Sequence, residues 1–177
     1  MVNQDRCNAA LLFAAQKHEG QKMKQPIVSY VTHLQGVCLE AIFGCLNSKC
    51  DVNLEKVVIL ALLHDTMEDT NTTYEEIEEK FGKDIADGVN ALTKDENLSY
   101  EKKMMDSLIR IKAQGAEVSI VKLADRIFNL KDVPTGWSKE KVDSYREEAM
   151  VILKELGENN KYMANRLSEK IKEYVRK

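Results

Sequence analysis

The sequence has few of the residues that break helices. Its 177 residues include only two prolines, Pro26 and Pro134, and eight glycines. The alternation of apolar and polar residues that is typical of strands is nearly absent, whereas apolar residues recur at the helical period along most of the chain. No repeat, low-complexity tract or long linker divides the sequence. We therefore expect an all-α fold in which residues 1–177 form a single helical bundle.

Several sequence features that would place the protein elsewhere in the cell are also missing. No apolar run approaches the length of a membrane span, and the first 20 residues lack the basic segment of a signal peptide. Cys7, Cys38, Cys45 and Cys50 form no CxxC pair and are expected to be free thiols. A net charge of −3 leaves no broad basic surface for nucleic acid. We expect a cytoplasmic protein that uses neither a membrane nor nucleic acid; its oligomeric state is open.

Helical periodicity divides the chain into short segments joined by turns. A loop is expected at residues 19–32, which Gly20 and Pro26 interrupt, and another at residues 93–98. Thr73 and Glu76 form a predicted capping box at the start of a helix that Gly82 ends. The predicted helices lie at about 4–18, 34–46, 54–69, 74–81, 83–92, 99–114, 117–131, 138–156 and 159–176.

One predicted helix passes from an apolar run into four ionisable residues. Residues 57–63 read VVILALL, and His64, Asp65, Glu68 and Asp69 follow within the next six positions. If the helix continues, His64 stacks on Glu68 and Asp65 stacks on Asp69, one turn apart. Burying such groups without partners costs several kcal/mol or more. A divalent cation would be a suitable partner, because imidazole and carboxylate together suit Mn, Fe or Zn.

A second apolar helix carries one carboxylate in its centre. The segment VKLADRIFNL, residues 121–130, is apolar nearly all round, except that Asp125 interrupts it and Asn129 follows one turn later. A carboxylate in this setting is either a metal ligand or the partner of a lysine or arginine. The sequence leaves both interpretations of Asp125 open.

The sequence contains three histidines, His18, His33 and His64. His33 comes just before a buried helix and is a candidate metal ligand, although a helix-cap role is the alternative. His18 lies near a helix C-terminus, where the helix dipole favours a cation, so we expect it to be a solvated or capping residue.

These segments together resemble a known family. The order of His33, then His64 and Asp65, then Asp125 is similar to the H…HD…D ligand order of the HD phosphohydrolase superfamily. The stretch LLHDTMEDTNTTYEEIEEKFGKDIADGVNALTK resembles the hydrolase domain of the RelA/SpoT alarmone enzymes, where ED, a Thr-rich turn, an EEI helix and FG follow the HD pair. VKLADRIFNL resembles that family's KLADRxxN helix, HEGQKMK and YVTH resemble its first loop, and PTGWSKEKVDSYREEA resembles a later helix start. The resemblance covers about residues 6–155.

The resemblance implies a function and a set of site residues. It implies a single HD domain that hydrolyses the 3′-pyrophosphate of guanosine tetra- or pentaphosphate, a small phosphorylated nucleotide. Its Mn²⁺ would be bound by the positions that match the family's ligands, His33, His64, Asp65 and Asp125. Glu68 and Asp69 match the family's catalytic ED pair, and Asn129 matches a substrate-contacting residue.

The first loop departs from the family's pattern. Met23 stands where the family has arginine, Ser29 precedes Tyr30, and Leu34 replaces a proline after His33. Lys22 and Lys24 are candidate phosphate contacts, or simply solvated loop lysines. Two alternatives therefore accompany the alarmone hydrolase interpretation: hydrolysis of another phosphorylated nucleotide on the same site, or nucleotide sensing without turnover.

Overall fold

The computed structural model describes residues 2–48 and 51–175, without the side chains of Tyr100 and Glu101. Within these ranges the chain is helical and contains no strand, apart from one isolated bridge between Lys22 and Ser29. The expected all-α fold is therefore confirmed. No described helix combines the length and the apolar character needed to cross a membrane.

The helices are short and follow the predicted segments closely. Apart from the helix predicted at 54–69, most boundaries lie within two residues of the prediction, but the second helix begins at residue 31 rather than at about 34, and the last ends at residue 173 rather than at about 176. A 3-10 helix spans Gly157–Asn159. The helices are α1 (Gln4–Lys17), α2 (Val31–Ser48), α3 (Leu54–Leu63), α4 (Thr66–Asp69), α5 (Tyr74–Phe81), α6 (Lys83–Leu92), α7 (Tyr100–Gln114), α8 (Ala116–Asn129), α9 (Lys139–Leu156) and α10 (Lys161–Glu173).

The predicted capping box is half present. The Thr73 side chain accepts a hydrogen bond from the backbone N–H of Glu76 at 3.2 Å, which satisfies one free donor at the start of α5. The Glu76 carboxylate instead accepts from Lys17 Nζ at 2.7 Å. The sequence therefore predicted the start of α5 correctly, but a contact with α1 replaces the reciprocal half of the box. Cys7 and Cys38 are free thiols, as expected, whereas Cys50 lies outside the described residues.

The helix predicted over residues 54–69 is broken in its middle. α3 ends at Leu63, and the four-residue α4 begins at Thr66. The buried hydroxyl of Thr66 donates to the Leu63 carbonyl at 2.6 Å, which satisfies an acceptor that an unbroken helix would pair with a backbone N–H. The prediction of one continuous helix was therefore wrong. The junction instead holds His64 and Asp65, so two adjacent side chains reach the same space.

Helix α8 lies at the centre of the bundle. It contacts α2, α3, α6, α7, α9 and α10, and its apolar side chains are almost fully buried. At the contact with α2, a Cβ on Gly36 would lie 2.0 Å from the Phe128 ring, so only glycine permits this approach. The segment that is apolar nearly all round is thus buried over most of its length, and it carries Asp125 into the interior.

Candidate metal centre

Four side chains from three parts of the chain converge at the α3–α4 junction. The Nε2 atoms of His33 on α2 and His64 lie 3.3 Å apart. Asp65 Oδ2 lies 3.2 Å from His33 Nε2 and 3.0 Å from His64 Nε2. Asp125 Oδ1, on α8, lies 3.6 Å and 3.8 Å from the same two nitrogens. The fold therefore brings together the four residues that the sequence proposed as ligands.

This donor set fits a divalent cation. One ligand atom from each of His33, His64 and Asp125 lies within 4.8 Å of the others. The Nδ1–H of His64 donates to the Ala61 carbonyl at 2.8 Å, so in the neutral ring Nε2 is left as a free acceptor. Two imidazoles and two carboxylates suit Mn, Fe or Zn. His33, His64 and Asp125 therefore form a candidate metal site, and Asp65 lies within 3.2 Å of both imidazoles.

The charges at the site depend on one another. Burial alone would raise the pKa of Asp65, but His64 and His33 hold it well below its usual range. Burial would lower the pKa of His64, yet Asp65 and then Asp125 raise it to about 9. Without a cation, protonated imidazole therefore balances the carboxylates. A divalent ion would take over that role and displace the proton.

Asp125 has partners beyond the histidines. Its Oδ2 accepts from Lys122 Nζ at 3.2 Å, and its Oδ1 accepts from Asn129 Nδ2 at 2.5 Å. Burial opposes ionisation of Asp125, but Lys122 and then His64 lower its pKa overall. The ion-pair and metal-ligand interpretations of Asp125 are therefore compatible, since its two oxygens have different neighbours. These contacts also orient the carboxylate.

Glu68 and Asp69 lie beside the cluster and have different surroundings. Glu68 accepts two hydrogen bonds from Lys94, from Nζ at 2.8 Å and from the backbone N–H at 3.1 Å. Asp69 Oδ2 lies 3.1 Å from the Tyr30 hydroxyl. Burial and the nearby charge of Asp65 raise the pKa of Asp69. The Glu68 carboxylate is therefore fixed by the Lys94 side chain, whereas the raised pKa of Asp69 favours its protonated form.

A cavity of about 220 Å³, here called the metal cavity, contains the cluster together with Glu68 and Asp69. A second cavity of about 270 Å³, the loop cavity, shares Tyr30, His33 and Asn129 with it. Lys22 and Lys24 line the loop cavity as exposed side chains. All the residues that the sequence proposed as site residues therefore line one of two adjoining cavities.

Tyr30 and His18 support the site, although the sequence did not assign either residue to it. The Tyr30 hydroxyl donates to Asp65 Oδ2 at 2.7 Å, and its ring stacks on His18 with centroids 4.9 Å apart. His18 is the C-cap residue of α1, but it is only 1% exposed and its Nδ1 lies 2.7 Å from Gln21 Oε1. Of the two predicted roles of His18, the helix-cap position is confirmed, whereas the solvated residue was wrong, because the 19–30 loop covers the side chain. A signal was available for Tyr30, which is three positions before His33.

Several other polar residues of the metal cavity were also missed. Lys122 and Arg126 flank Asp125 on α8, and charged residues in so apolar a helix were a usable signal. Lys94 lies in the polar loop after α6 and Glu148 lies on α9, and nothing local to either residue indicated the site.

A helical bundle around a buried centre of histidines and carboxylates defines the class of this protein as a helical domain with a candidate divalent-metal site. Comparison with known proteins identifies its family. The family model described as HD domain matches residues 10–161, and the chain belongs to that family.

Relatives of known name resemble nearly the whole chain. The guanosine-3′,5′-bis(diphosphate) 3′-pyrophosphohydrolase MESH1 of Xenopus tropicalis is 35% identical over 160 residues, which cover 88% of this chain and 87% of that protein. A guanosine-3′,5′-bis(diphosphate) 3′-pyrophosphohydrolase of Aquifex aeolicus is 36% identical over 148 residues, covering 79% of this chain but 19% of that protein. A solved structure of a metazoan ortholog of SpoT that hydrolyses ppGpp has a TM-score of 0.84 at 28% identity, covering 98% of this chain and 97% of that one. The expected relationship to SpoT-type hydrolases is confirmed.

Proposed function

We propose that this protein hydrolyses the 3′-pyrophosphate of guanosine tetra- or pentaphosphate, giving GDP or GTP and inorganic pyrophosphate. One water is consumed: its oxygen bonds to the phosphorus attached to the 3′-oxygen, the bond between that phosphorus and the 3′-oxygen breaks, the 3′-oxygen takes up a proton, and pyrophosphate leaves. The observation that carries this proposal is the convergence of His33, His64, Asp65 and Asp125 beside an ED pair. It occurs in a chain whose relatives with this named activity match it almost from end to end. We infer further that the whole chain is one such domain, acting in the cytoplasm without nucleic acid.

The proposed metal ligands are His33, His64, Asp65 and Asp125, and the proposed ion is Mn²⁺. A divalent ion held by these residues would supply Lewis acidity to phosphate oxygens and make hydroxide available near neutral pH. Lys122 and Asn129 orient Asp125, and the Ala61 carbonyl orients His64. These contacts fix the direction of the metal-ligating atoms before a metal ion or substrate binds.

Glu68 and Asp69 are the proposed acid–base residues. Lys94 fixes the Glu68 carboxylate, which is suited to accept a proton from the attacking water. The pKa of Asp69 is raised by burial, so this side chain is suited to deliver a proton to the 3′-oxygen. Tyr30 connects Asp69 to Asp65 and holds both carboxylates in place.

The loop cavity is the proposed nucleoside site. Met23 and Phe128 offer apolar surface for a base, while Lys22 and Lys24 are suited to contact phosphates near its mouth. Asn129 lines both cavities and is the proposed substrate contact between them. Because Met23 offers only soft apolar contact, action on another phosphorylated nucleotide is the alternative that this cavity favours.

Turnover with Mn²⁺ on a panel of 3′- and 5′-phosphorylated nucleotides tests the proposal. Release of pyrophosphate from guanosine 3′-pyrophosphates is expected. Glu68→Gln and Asp69→Asn should keep their metal and lose turnover by roughly 10²–10⁴-fold. The exposed Glu79 provides a control, because Glu79→Gln makes the same change outside both cavities.

Metal content and substrate range give the contradicting outcomes. Asp65→Ala should lose most of the bound metal, and equal metal in this variant and the wild type would reject the ligand assignment. Near-normal turnover in both acid–base variants would reject their roles. Nucleotide binding without any turnover would instead favour a sensing protein.

A further inference from the structure

Three cations line the metal cavity on the side where α8 faces α7 and α9. They are Lys94, Lys122 and Arg126, here called the cationic wall. All three also line a second cavity of about 280 Å³ between α7, α8 and α9, here called the outer cavity. The wall therefore separates two spaces and presents positive charge at their boundary.

Arg126 is the most unusual member of the cationic wall. It is only 6% exposed, and its buried Nε has no hydrogen-bond partner among the described residues. Its guanidinium carbon lies 4.1 Å from the centroid of the Tyr145 ring, and its Nη2 lies 3.2 Å from Glu148 Oε2. A buried guanidinium with an unused donor beside a phosphate-cleaving site has capacity for a further anion.

The size of the metal cavity supports a ligand that extends beyond it. Its volume of about 220 Å³ is below the roughly 300–1,000 Å³ of typical small-molecule sites. A nucleotide with two pyrophosphate groups must therefore also occupy neighbouring spaces. The loop cavity on one side is lined by Met23, Phe128 and Pro134 and suits the nucleoside. The cationic wall forms a separate side, which suits the most highly charged end of the substrate.

We propose that the cationic wall binds the terminal phosphate of the 3′-pyrophosphate and then the inorganic pyrophosphate that leaves. This inference rests on the proposed function. It adds that the cationic wall makes the protein select a 3′-pyrophosphate ester over a 3′-monophosphate ester. Arg126 is the specificity residue, because its fork of donors matches two phosphate oxygens. Lys122 supplies a second charge that the Asp125 contact holds at the cavity.

Glu148 opposes this binding. It lines both the metal cavity and the outer cavity, and it occupies the Arg126 guanidinium that the phosphate would use. Removal of its charge should therefore tighten pyrophosphate binding, whereas a purely structural ion pair would give no such gain. Glu147 is the matched control, because it is exposed and lines only the outer cavity.

Titration calorimetry of the metal-loaded protein with inorganic pyrophosphate and with orthophosphate provides the test. Both anions would contact the metal, so the ratio of their affinities reports the contribution of the second phosphate group of pyrophosphate. Arg126→Gln should lower the pyrophosphate to orthophosphate ratio about tenfold or more, and Arg126→Lys should restore part of it. Glu148→Gln should raise the ratio several-fold, and Glu147→Gln should leave it within about twofold. Metal content is measured after each titration, because pyrophosphate also chelates metals.

The outcomes separate this inference from the proposed function. An unchanged ratio in both Arg126→Gln and Glu148→Gln would overturn the cationic wall while nucleotide turnover by the wild type still stands. The affinity ratio could also shift as expected while the wild type hydrolyses no guanosine 3′-pyrophosphate. That result would support the pyrophosphate site and reject the proposed substrate. If Arg126→Gln does not fold, Glu148→Gln and Lys122→Met decide, since the first must raise the ratio and the second must lower it.

Discussion

Lys94 fixes the carboxylate of Glu68 through both its side chain and its backbone. The Nζ atom lies 2.8 Å from Oε1, and the backbone N–H donates to Oε2 at 3.1 Å. The two residues are 26 positions apart, so the loop after α6 sets the direction of a carboxylate that α4 carries. Glu68 is thus an acid whose geometry depends on a distant segment.

We expect Lys94→Met to lower turnover by about tenfold to a hundredfold, because Glu68 loses its charged hydrogen bond and its fixed orientation. Both 3′-pyrophosphate and 3′-monophosphate esters should be affected, since Glu68 would serve both. Steady-state kinetics with metal analysis measures the effect. Lys83→Met is the control, as Lys83 pairs with Asp87 away from both the metal and loop cavities. Normal turnover in the Lys94 variant would show that the backbone contact alone is sufficient.

Metal binding should release a proton from His64. The pKa of this imidazole is raised from 6.5 to about 9, so it is protonated at pH 7 in the metal-free protein, whereas a ligand must be neutral. Metal affinity should therefore rise with pH between about 7 and 9, by up to about tenfold per pH unit. Calorimetry in two buffers of different ionisation enthalpy counts the released protons. Equal apparent heats in the two buffers would contradict the displacement of a proton.

The same shift predicts how the stability of the metal-free protein varies with pH. The folded state binds the His64 proton more tightly than the unfolded chain, so this stabilisation is complete below pH 6.5 and is lost as pH rises through about 9. The melting temperature of chelator-treated protein should fall between pH 7 and 9. With saturating metal, the fall should be smaller because the proton is already displaced. Parallel curves with and without metal would argue against the His64 assignment.

Gly36→Ala should destabilise the fold and disturb the site. The added Cβ would lie 2.0 Å from the Phe128 ring, whose edge packs on His33 with centroids 5.3 Å apart. The rigid Phe128 ring packs against the core and cannot bend away as a flexible side chain can, so we expect a loss of about 1–3 kcal/mol in the free energy of unfolding. Denaturant unfolding measures this loss. Gly44→Ala on the same helix is the comparison, since its Cβ meets the flexible side chain of Met163.

A smaller loss in Gly36→Ala than in Gly44→Ala would contradict the packing argument. Metal affinity provides a second measurement, because a shifted Phe128 ring would move the His33 imidazole. We expect weaker metal binding in the Gly36 variant and unchanged binding in the Gly44 variant.

Met23→Arg should improve discrimination between bases. Methionine offers soft apolar contact in the loop cavity, whereas arginine stacks flat on a base and donates a fork of hydrogen bonds. The ratio of turnover on guanosine and adenosine 3′-pyrophosphates should therefore rise in favour of guanosine. Met150→Arg is the control, because Met150 is exposed on α9. An unchanged ratio in a folded, metal-loaded variant would show that the base does not contact residue 23.

The sequence was informative where a property depends on neighbouring residues. The apolar periodicity of α8 predicted its burial, and the conflict between that burial and the Asp125 charge indicated a site. The HD pair, His64 and Asp65, directly follows the apolar helix α3, and the same conflict between burial and charge indicated a site there. Local patterns also located Thr73 as a helix cap, because capping is a contact over three residues.

The sequence failed where contacts join distant segments. The Thr66 hydroxyl donates to the Leu63 carbonyl at the break between α3 and α4, and periodicity did not predict this break. His18 is near the end of α1, and only the return of the 19–30 loop buries it against Tyr30.

By itself, the sequence determined an all-helical chain with two apolar helices that carry ionisable residues, because periodicity and burial cost are local properties. Only the tertiary structure decided which charges meet. His33 reaches His64 because α2 packs against α3, and it reaches Asp125 because α2 and α8 approach closely at Gly36. Lys94 reaches the same cavity from the loop after α6, and Glu148 reaches it from α9. Charge partners across a folded core depend on how helices cross, and a one-dimensional pattern does not contain that geometry.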